Sequence, residues 1–374
     1  MKIVVALDSF KGSLSAKRAC QVVAETLQAH QPSWRIECVP LADGGEGTAE
    51  ALIDACHGQW RQVKGVTGPL PKMTLDTSFG WLPDTATAVV EMARASGLTL
   101  LPREQRNPLL TTTYGTGQLM AAAMAGGARR LILTLGGSAT VDGGTGAARA
   151  LGWRFLDAAG CEVPLGGGAL RSIVVLQPPE VTLPPVEAWT DVRNPLCGTN
   201  GAARVYGPQK GADEEMVEEL EAGLHHLADL VERQLGLSLL DMPGGGAAGG
   251  FGFGARAFLG AHLVPGAQGV MSTVGLERVL ADADWLITGE GCLDSQSLQG
   301  KVVGEAARVA RSRSAKVAVL AGRLLLNPTA RQAAGIALGE QTMQPGMTVE
   351  EAMAQAEPLL AAAARRLVDG LAGG

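Results

Sequence analysis

The residues best equipped for chemistry lie in short polar blocks, each following an apolar run. The first is Asp8-Ser9-Phe10-Lys11-Gly12-Ser13, directly after Ile3-Val4-Val5-Ala6-Leu7. It supplies hydroxyls, a cation and flexible backbone just before a helical pattern, a combination suited to a phosphate or carboxylate. An ordinary strand-to-helix turn carrying a surface lysine is the plain alternative. A second block, Asp43-Gly44-Gly45-Glu46-Gly47-Thr48, sets two carboxylates beside bare backbone. Mg²⁺ prefers one or two carboxylates plus phosphate oxygens, so this block points to a magnesium-linked phosphate. A glycine-rich turn with Thr48 as helix N-cap and no ligand is the alternative.

Further along, Thr111-Thr112-Thr113-Tyr114-Gly115-Thr116-Gly117 opens an alanine-rich helix and offers N–H groups to an anion. The apolar run 130–135 leads into Gly136-Gly137-Ser138-Ala139-Thr140-Val141-Asp142-Gly143-Gly144. This strand, glycine-hydroxyl loop and helix has the layout of a phosphate cradle. It matches neither G-x-x-x-x-G-K-S/T nor a clean G-x-G-x-x-G, so it is no standard P-loop or dinucleotide fingerprint, and a close-packed turn stays open. The densest chemistry falls in residues 188–211, where Asp191, Arg193, Asn194, Gln209 and Lys210 crowd around three turns. A last block, Gly289-Glu290-Gly291-Cys292-Leu293-Asp294-Ser295-Gln296, precedes Gly300-Lys301 at a helix entry.

The elements that must carry these blocks are legible from periodicity. An apolar run without alternation predicts a parallel strand, covered on both faces, at 2–7, and further strands read at 35–40, 284–288, 316–320 and, the weakest signal, 335–340. Helical patterns follow at 15–29, 49–56, 303–313 and 349–369, with another at 272–281 before the third strand. Five strands so placed predict a parallel α/β layout with its tips along one edge, interrupted after its second unit. The interruption begins near Trp60 and is followed by short β-like runs at Met73–Phe79 and Ala86–Met92; the first rhythm returns near residue 264. The acidic stretch 213–235 reads as a solvated amphipathic helix without chemistry. The glycine block 243–254 has flanks too apolar and periodic for a disordered linker. The expected division is 1–64 plus 264–374 as one α/β domain and 65–263 as an inserted α/β domain.

Composition narrows the function. Glycine accounts for 51 of 374 residues, about twice average usage, and clusters in a few blocks, as backbone built to approach ligands does. A net charge of −6 with no basic stripe argues against a nucleic-acid partner. The six cysteines form no C-x-x-C pair and read as reduced thiols, which favours the cytosol, and the five histidines lack zinc-binding spacing. No apolar run approaches the ~18 residues of a membrane helix, and none near the N-terminus is long enough for a signal sequence.

Taken in order, six blocks resemble bacterial glycerate kinases: Leu7 to Ser13, Ala42 to Thr48, Gly136 to Gly144, Asp191 to Leu196, Gly207-Pro208-Gln209-Lys210-Gly211 and Thr288 to Asp294. The likeness runs from residue 1 nearly to the C-terminus. It implies ATP-dependent phosphorylation of D-glycerate with Mg²⁺, in this branch usually at the 2-hydroxyl, and a flavodoxin-like domain built from both chain ends. Three departures stand out: Val141 in place of asparagine, Tyr206 in place of phenylalanine, and Val302-Val303 in place of Ala-Pro. On this reading Lys11 and Lys210 offset phosphate charge, Asp43 and Glu46 hold the metal, and Asp191 or Asp294 is the base. Asp8, Ser9, Arg193 and Asn194 orient the acid, while Gly44, Gly45, Gly136, Gly137, Ser138, Thr140, Gly289 and Lys301 serve the nucleotide and its phosphates. These groups are expected to meet in a cleft between the domains, in a monomer or homodimer. Rival readings are a phosphohydrolase using Asp8, which would want a second aspartate where Phe10 stands, and a non-catalytic glycerate sensor.

Overall fold

In the computed structural model, which describes residues 1–374 except Gln299 and Gly374, the chain divides into two compact units. One comprises residues 1–43, 50–57 and 265–374; the other comprises 44–49 and 58–264. The block Gly44 to Ala49, assigned from sequence to the first domain, therefore packs with the second unit.

The first unit is a five-stranded parallel sheet in the order Ile336–Gln341, Lys316–Leu324, Trp285–Leu293, Lys2–Leu7, Arg35–Cys38. Numbered within the unit this is 2-1-3-4-5, the flavodoxin-like order. Every residue of Lys2–Leu7 is buried, as an uninterrupted apolar run requires when helices cover both sheet faces. Its register with the third strand runs from Ile3↔Trp285 to Leu7↔Gly289. The helix Ala16–His30 begins at Ser15, whose hydroxyl accepts from the Arg18 N–H, and buries Ala16, Ala19, Cys20, Val23 and Leu27. Leu360, Ala363, Ala364 and Leu367 of Ala356–Gly373 join the same core.

Two strands outrun their sequence limits. Trp285–Leu293 and Lys316–Leu324 continue past residues 288 and 320, so that Gly289, Glu290 and Arg323 lie in strand rather than loop. The second strand is shorter than expected, Arg35–Cys38. The C-terminal helical pattern is two helices, Val349–Ala354 and Ala356–Gly373, and the pattern at 272–281 breaks at Gly275, whose φ is 67°.

The second unit is a mixed six-stranded sheet, ordered His262–Val264, Val186–Trp189, Arg130–Thr134, Thr87–Glu91, Thr74–Leu82, Gln59–Thr67. The three strands nearest the Gln59–Thr67 edge pair antiparallel and the other pairings are parallel. The edge strand went unread in sequence because Gly65 sits within it at a register shift and few of its residues are buried. The amphipathic helix 213–235 is realised as Glu214–Leu235, capped by Asp213. The glycine block becomes the kinked, buried helix Ala247–Leu259, with Ala248, Gly249 and Gly250 left-handed. A Cβ at Gly249 would lie 1.9 Å from the Thr140 carbonyl oxygen, so this block seats the loop at 140–143.

At Gly289 the constraint is steric: a Cβ would fall 1.8 Å from the Leu320 carbonyl oxygen in the adjacent strand. Gly289→Ala is expected to destabilise the chain by about 3 kcal/mol or more, read as a lowered urea midpoint; an unchanged midpoint would show that the strands separate freely here.

Candidate active site

At the carboxyl edge of the five-stranded sheet, the ends of the first and third strands bring together groups that are 282 residues apart in the chain. Asp8 follows Lys2–Leu7, and its N–H donates to the Gly289 carbonyl at 2.9 Å. Its carboxylate accepts from the Ser9 N–H at 2.6 Å and is only 6% exposed. Burial, with the charges of Asp43 and Glu290 adding to it, pushes Asp8 up to about 7 against the pull of the Ser9 N–H and Lys11. Lys11 is exposed and pairs with Asp43 at 3.0 Å; Asp43's charge raises its proton affinity, so it stays cationic. Glu290 is half-buried, desolvation raises its carboxyl, and its Oε1 has no hydrogen-bond partner among the described residues.

These groups line a cavity of about 320 Å³. It sits at the topological switch point between the first and third strands, where open α/β sheets bind ligands. Beyond Asp8, Ser9, Lys11 and Glu290, its boundary includes Arg323 and an apolar side made by Met343, Val349 and Met353. None of these last four was singled out from sequence, nor was Glu290 given a role. Arg323 and Glu290 were read as loop, and the apolar residues look like any helix face until the helix is placed.

Other residues of this unit take different posts. Gly289 is a buried strand residue fitted against Leu320. Asp294 Oδ1 accepts from the Gln296 and Ser297 N–H groups at 2.8 and 3.1 Å, and these bonds, Ser297 foremost, hold its carboxyl below the usual range. A carboxylate committed to its own turn in this way is a weak proton acceptor. Lys301 is exposed at the N-cap of Val302–Ser312, and its charge favours the ionised forms of Glu290 and Asp294.

In the six-stranded unit the glycine blocks touch one another. A Cβ on Gly136 would stand 2.7 Å from the Gly45 Cα, and Gly44 and Gly137 have φ of 84° and 70°. Thr48 is the first residue of its helix and does not cap it; its Oγ1 has no partner among the described residues, and Glu91 accepts from the Ala49 N–H at 2.9 Å instead. Glu46 is exposed.

The anion at the threonine-rich helix entry proves to be the protein's own. Asp142, fully buried, accepts from the Thr113 N–H at 2.8 Å, the Thr113 hydroxyl at 2.9 Å and the Gly144 N–H at 3.1 Å. Burial raises its carboxyl against the pull of these bonds. Lys210, 2% exposed, donates to Ser138 Oγ and the Thr140 carbonyl, both at 2.7 Å, and burial lowers it to about 7 although the charge of Asp142 opposes the shift. It braces the 138–140 loop from within, with two of its three N–H groups committed to that loop. Ser138 is spent on Lys210, while Thr140 Oγ1 is buried with no partner among the described residues.

Asn194 is likewise engaged: its Nδ2 donates to the Asn200 carbonyl at 2.8 Å and its Oδ1 accepts from the Tyr206 hydroxyl at 2.9 Å. Tyr206, one of the departures from the resembled pattern, thus fixes the loop that carries Arg193. Arg193 is exposed and, among the described residues, has neither hydrogen bond nor ion pair; Asp191 is half-buried three residues before Asn194. Val141, another departure, is fully buried in the core, so its apolar side chain suits its position.

Among the described residues, no three metal-binding side chains gather into a dedicated metal site, and no helix is long and apolar enough to cross a membrane. Carboxylates and cations at the switch point of one unit, with a glycine-hydroxyl loop braced by buried charges in the other, define a two-unit α/β protein built to handle small anionic ligands. The sequence profile of the Glycerate kinase family matches residues 3–372, and the chain belongs to that family. It is 41% identical to a Halalkalibacterium halodurans protein named glycerate kinase, over 98% of this chain and 97% of that protein. Against the Escherichia coli protein named glycerate 2-kinase, identity is 44% over 87% of this chain and 86% of that one. The crystal structure of a Salmonella typhimurium LT2 chain, described as a candidate glycerate kinase 2, superposes with a TM-score of 0.90 at 40% identity, covering 100% of this chain and 99% of the other.

The position of Asp8 makes stability depend on pH. Between the ordinary carboxylate range near 4 and about 7, the folded chain keeps a proton that the unfolded chain has lost, so stability falls as pH rises through that window. Asp8→Asn cannot ionise and escapes this loss. At pH 8 it is expected to be more stable than the parent, by about 4 kcal/mol at most, with the difference vanishing near pH 4. Parallel urea midpoints at both pH values would refute the assignment.

Proposed function

We propose that the protein transfers the γ-phosphoryl group of ATP to D-glycerate, with the 2-hydroxyl as acceptor, releasing ADP and 2-phosphoglycerate. The observation that carries this reading is the 44% identity to the Escherichia coli protein named glycerate 2-kinase, in a chain that keeps exposed cations and half-buried carboxylates in its polar blocks. Phosphoryl transfer asks little covalent chemistry of a protein; it needs positioning, charge neutralisation and a group to take the hydroxyl proton. The numerous acids and lysines favour turnover over simple binding.

Lys11 and Lys301, both exposed cations, are the groups we assign to the phosphate oxygens. Arg193, exposed and without a partner among the described residues, is assigned to the acid's carboxylate, and Asn194 keeps Arg193's loop in place through Tyr206. For the proton acceptor we favour Asp191 over Asp294, whose oxygen is already held by its own turn. Asp8, Asp43 and Glu290 form a mutually repelling acidic group around one lysine, an excess of negative charge that a cation arriving with the nucleotide relieves. That fits Mg²⁺ carried in on phosphate oxygens rather than in a protein cage, with Asp43 and Glu46 as the carboxylates offered to it. Bound there, the ion would neutralise charge on the β- and γ-phosphates. Six cysteines present as thiols rather than disulfides suit a cytosolic setting.

Coupled ADP detection with and without D-glycerate is expected to give turnover only when the acid is present. In phosphorus NMR the product should split as a doublet from the single proton on C2. A triplet would move the phosphate to the 3-hydroxyl, ADP formation without acceptor would indicate a hydrolase, and no ADP at all a binding protein. Asp191→Asn is expected to lower kcat by about 10²–10⁴-fold with little change in KM. A loss under about threefold would remove Asp191 from this role.

A further inference from the structure

The cavity at the switch point is poorly matched to glycerate. Its volume of about 320 Å³ is at the lower end for pockets that enclose drug-sized ligands. A three-carbon acid bearing a carboxylate and two hydroxyls would leave most of that space empty. Glycerate also has no use for an apolar wall, yet Met343, Val349 and Met353 supply one. Val349 and Met353 remain 45% and 37% exposed, among the most exposed large apolar side chains described. Polar groups line the same cavity. Glu290 presents a buried oxygen that has no partner among the described residues, and such an oxygen is costly to leave without a donor.

A flat apolar ring system joined to a hydroxyl-bearing sugar meets each of these demands. We propose that this cavity holds the nucleoside half of the nucleotide, with its base against Met343, Val349 and Met353 and its ribose hydroxyls donating to Glu290 and Asp8. The phosphates then extend toward Lys11. The inference rests on the kinase reading for the identity of the nucleotide. It moves Asp8 and Ser9, expected from sequence on the acid, to the sugar end of the nucleotide. Gly12 contributes indirectly: a Cβ there would meet the Met353 Cε at 2.5 Å, so a bare backbone lets the apolar wall close over the loop at 9–13.

Cys292 gives a reporter that needs no turnover, since it is exposed and lines the same cavity. In the unmodified full-length protein, alkylation of individual cysteines by N-ethylmaleimide can be followed by peptide mass spectrometry. ADP with Mg²⁺ at about ten times its Kd is expected to slow alkylation of Cys292 about tenfold, and to leave the exposed Cys161 unaffected. D-Glycerate alone should not protect. Met353→Glu, at an exposed position that does not threaten folding, should cut protection at that ADP concentration to about twofold and raise KM for ATP about tenfold, leaving KM for glycerate within about twofold. Protection by glycerate but not ADP would give the cavity to the acid and overturn the proposal. So would protection by neither, even in an active kinase. Protection by ADP in a protein that makes no ADP from ATP and glycerate would leave the cavity assigned and remove the kinase reading instead.

Discussion

The parallel pairing of Lys2–Leu7 with Trp285–Leu293 is the constraint on which the candidate site depends. Its register carries Leu7 to Gly289, so that the next residues on each strand, Asp8 and Glu290, emerge together at the sheet's carboxyl edge. Backbone hydrogen bonding fixes that proximity, because the Asp8 N–H is itself bonded to the Gly289 carbonyl. Close packing of a third strand then restricts position 289 to glycine. Burial, with the nearby charges of Asp43 and Glu290, raises the proton affinity of Asp8, and the Ser9 N–H and Lys11 offset only part of this; burial likewise raises Glu290. The sheet thus places negative charge where free carboxylates would not gather, a poised arrangement of the kind ligand sites use.

The six-stranded unit spends its buried charges differently. Asp142 and Lys210 each satisfy backbone and hydroxyl groups of the loops around them, and neither faces solvent. Burying an ion is costly unless its hydrogen-bonding capacity is filled, and removing one member of such a network strands the others. The consequence is a glycine-rich loop whose shape is held from inside. Gly249 and Gly250 in left-handed conformation admit the Ala247–Leu259 helix close enough to support it. Charged residues that seem destined for a ligand in a linear reading are here the scaffold beneath one.

Much of the architecture was legible because periodicity reports burial directly. The uninterrupted apolar run of Lys2–Leu7, the amphipathic stretch 213–235 and the restored rhythm after residue 264 each marked a real element. Boundaries slipped where polar and glycine residues continued a strand, as at Gly289 to Leu293 and Gly322 to Leu324, since pairing of these two strands with each other rather than side-chain type keeps them extended. The strand Gln59–Thr67 escaped notice for a related reason: few of its residues are buried, and its pattern is interrupted at Gly65.

The sequence by itself determined the fold class, the glycerate kinase resemblance and which blocks carry polar chemistry, because apolar spacing and local turn residues are properties of neighbours along the chain. The tertiary structure alone decided what each polar residue faces. Lys11 and Lys210 are both lysines in glycine-rich blocks, yet one reaches solvent beside Asp43 and the other is sealed against Ser138 and Thr140. Asp8 and Asp294 are both aspartates at strand ends, yet burial raises the proton affinity of one and backbone N–H donors lower that of the other. Protonation and accessibility depend on groups brought near from distant parts of the chain, and that proximity is created only by packing.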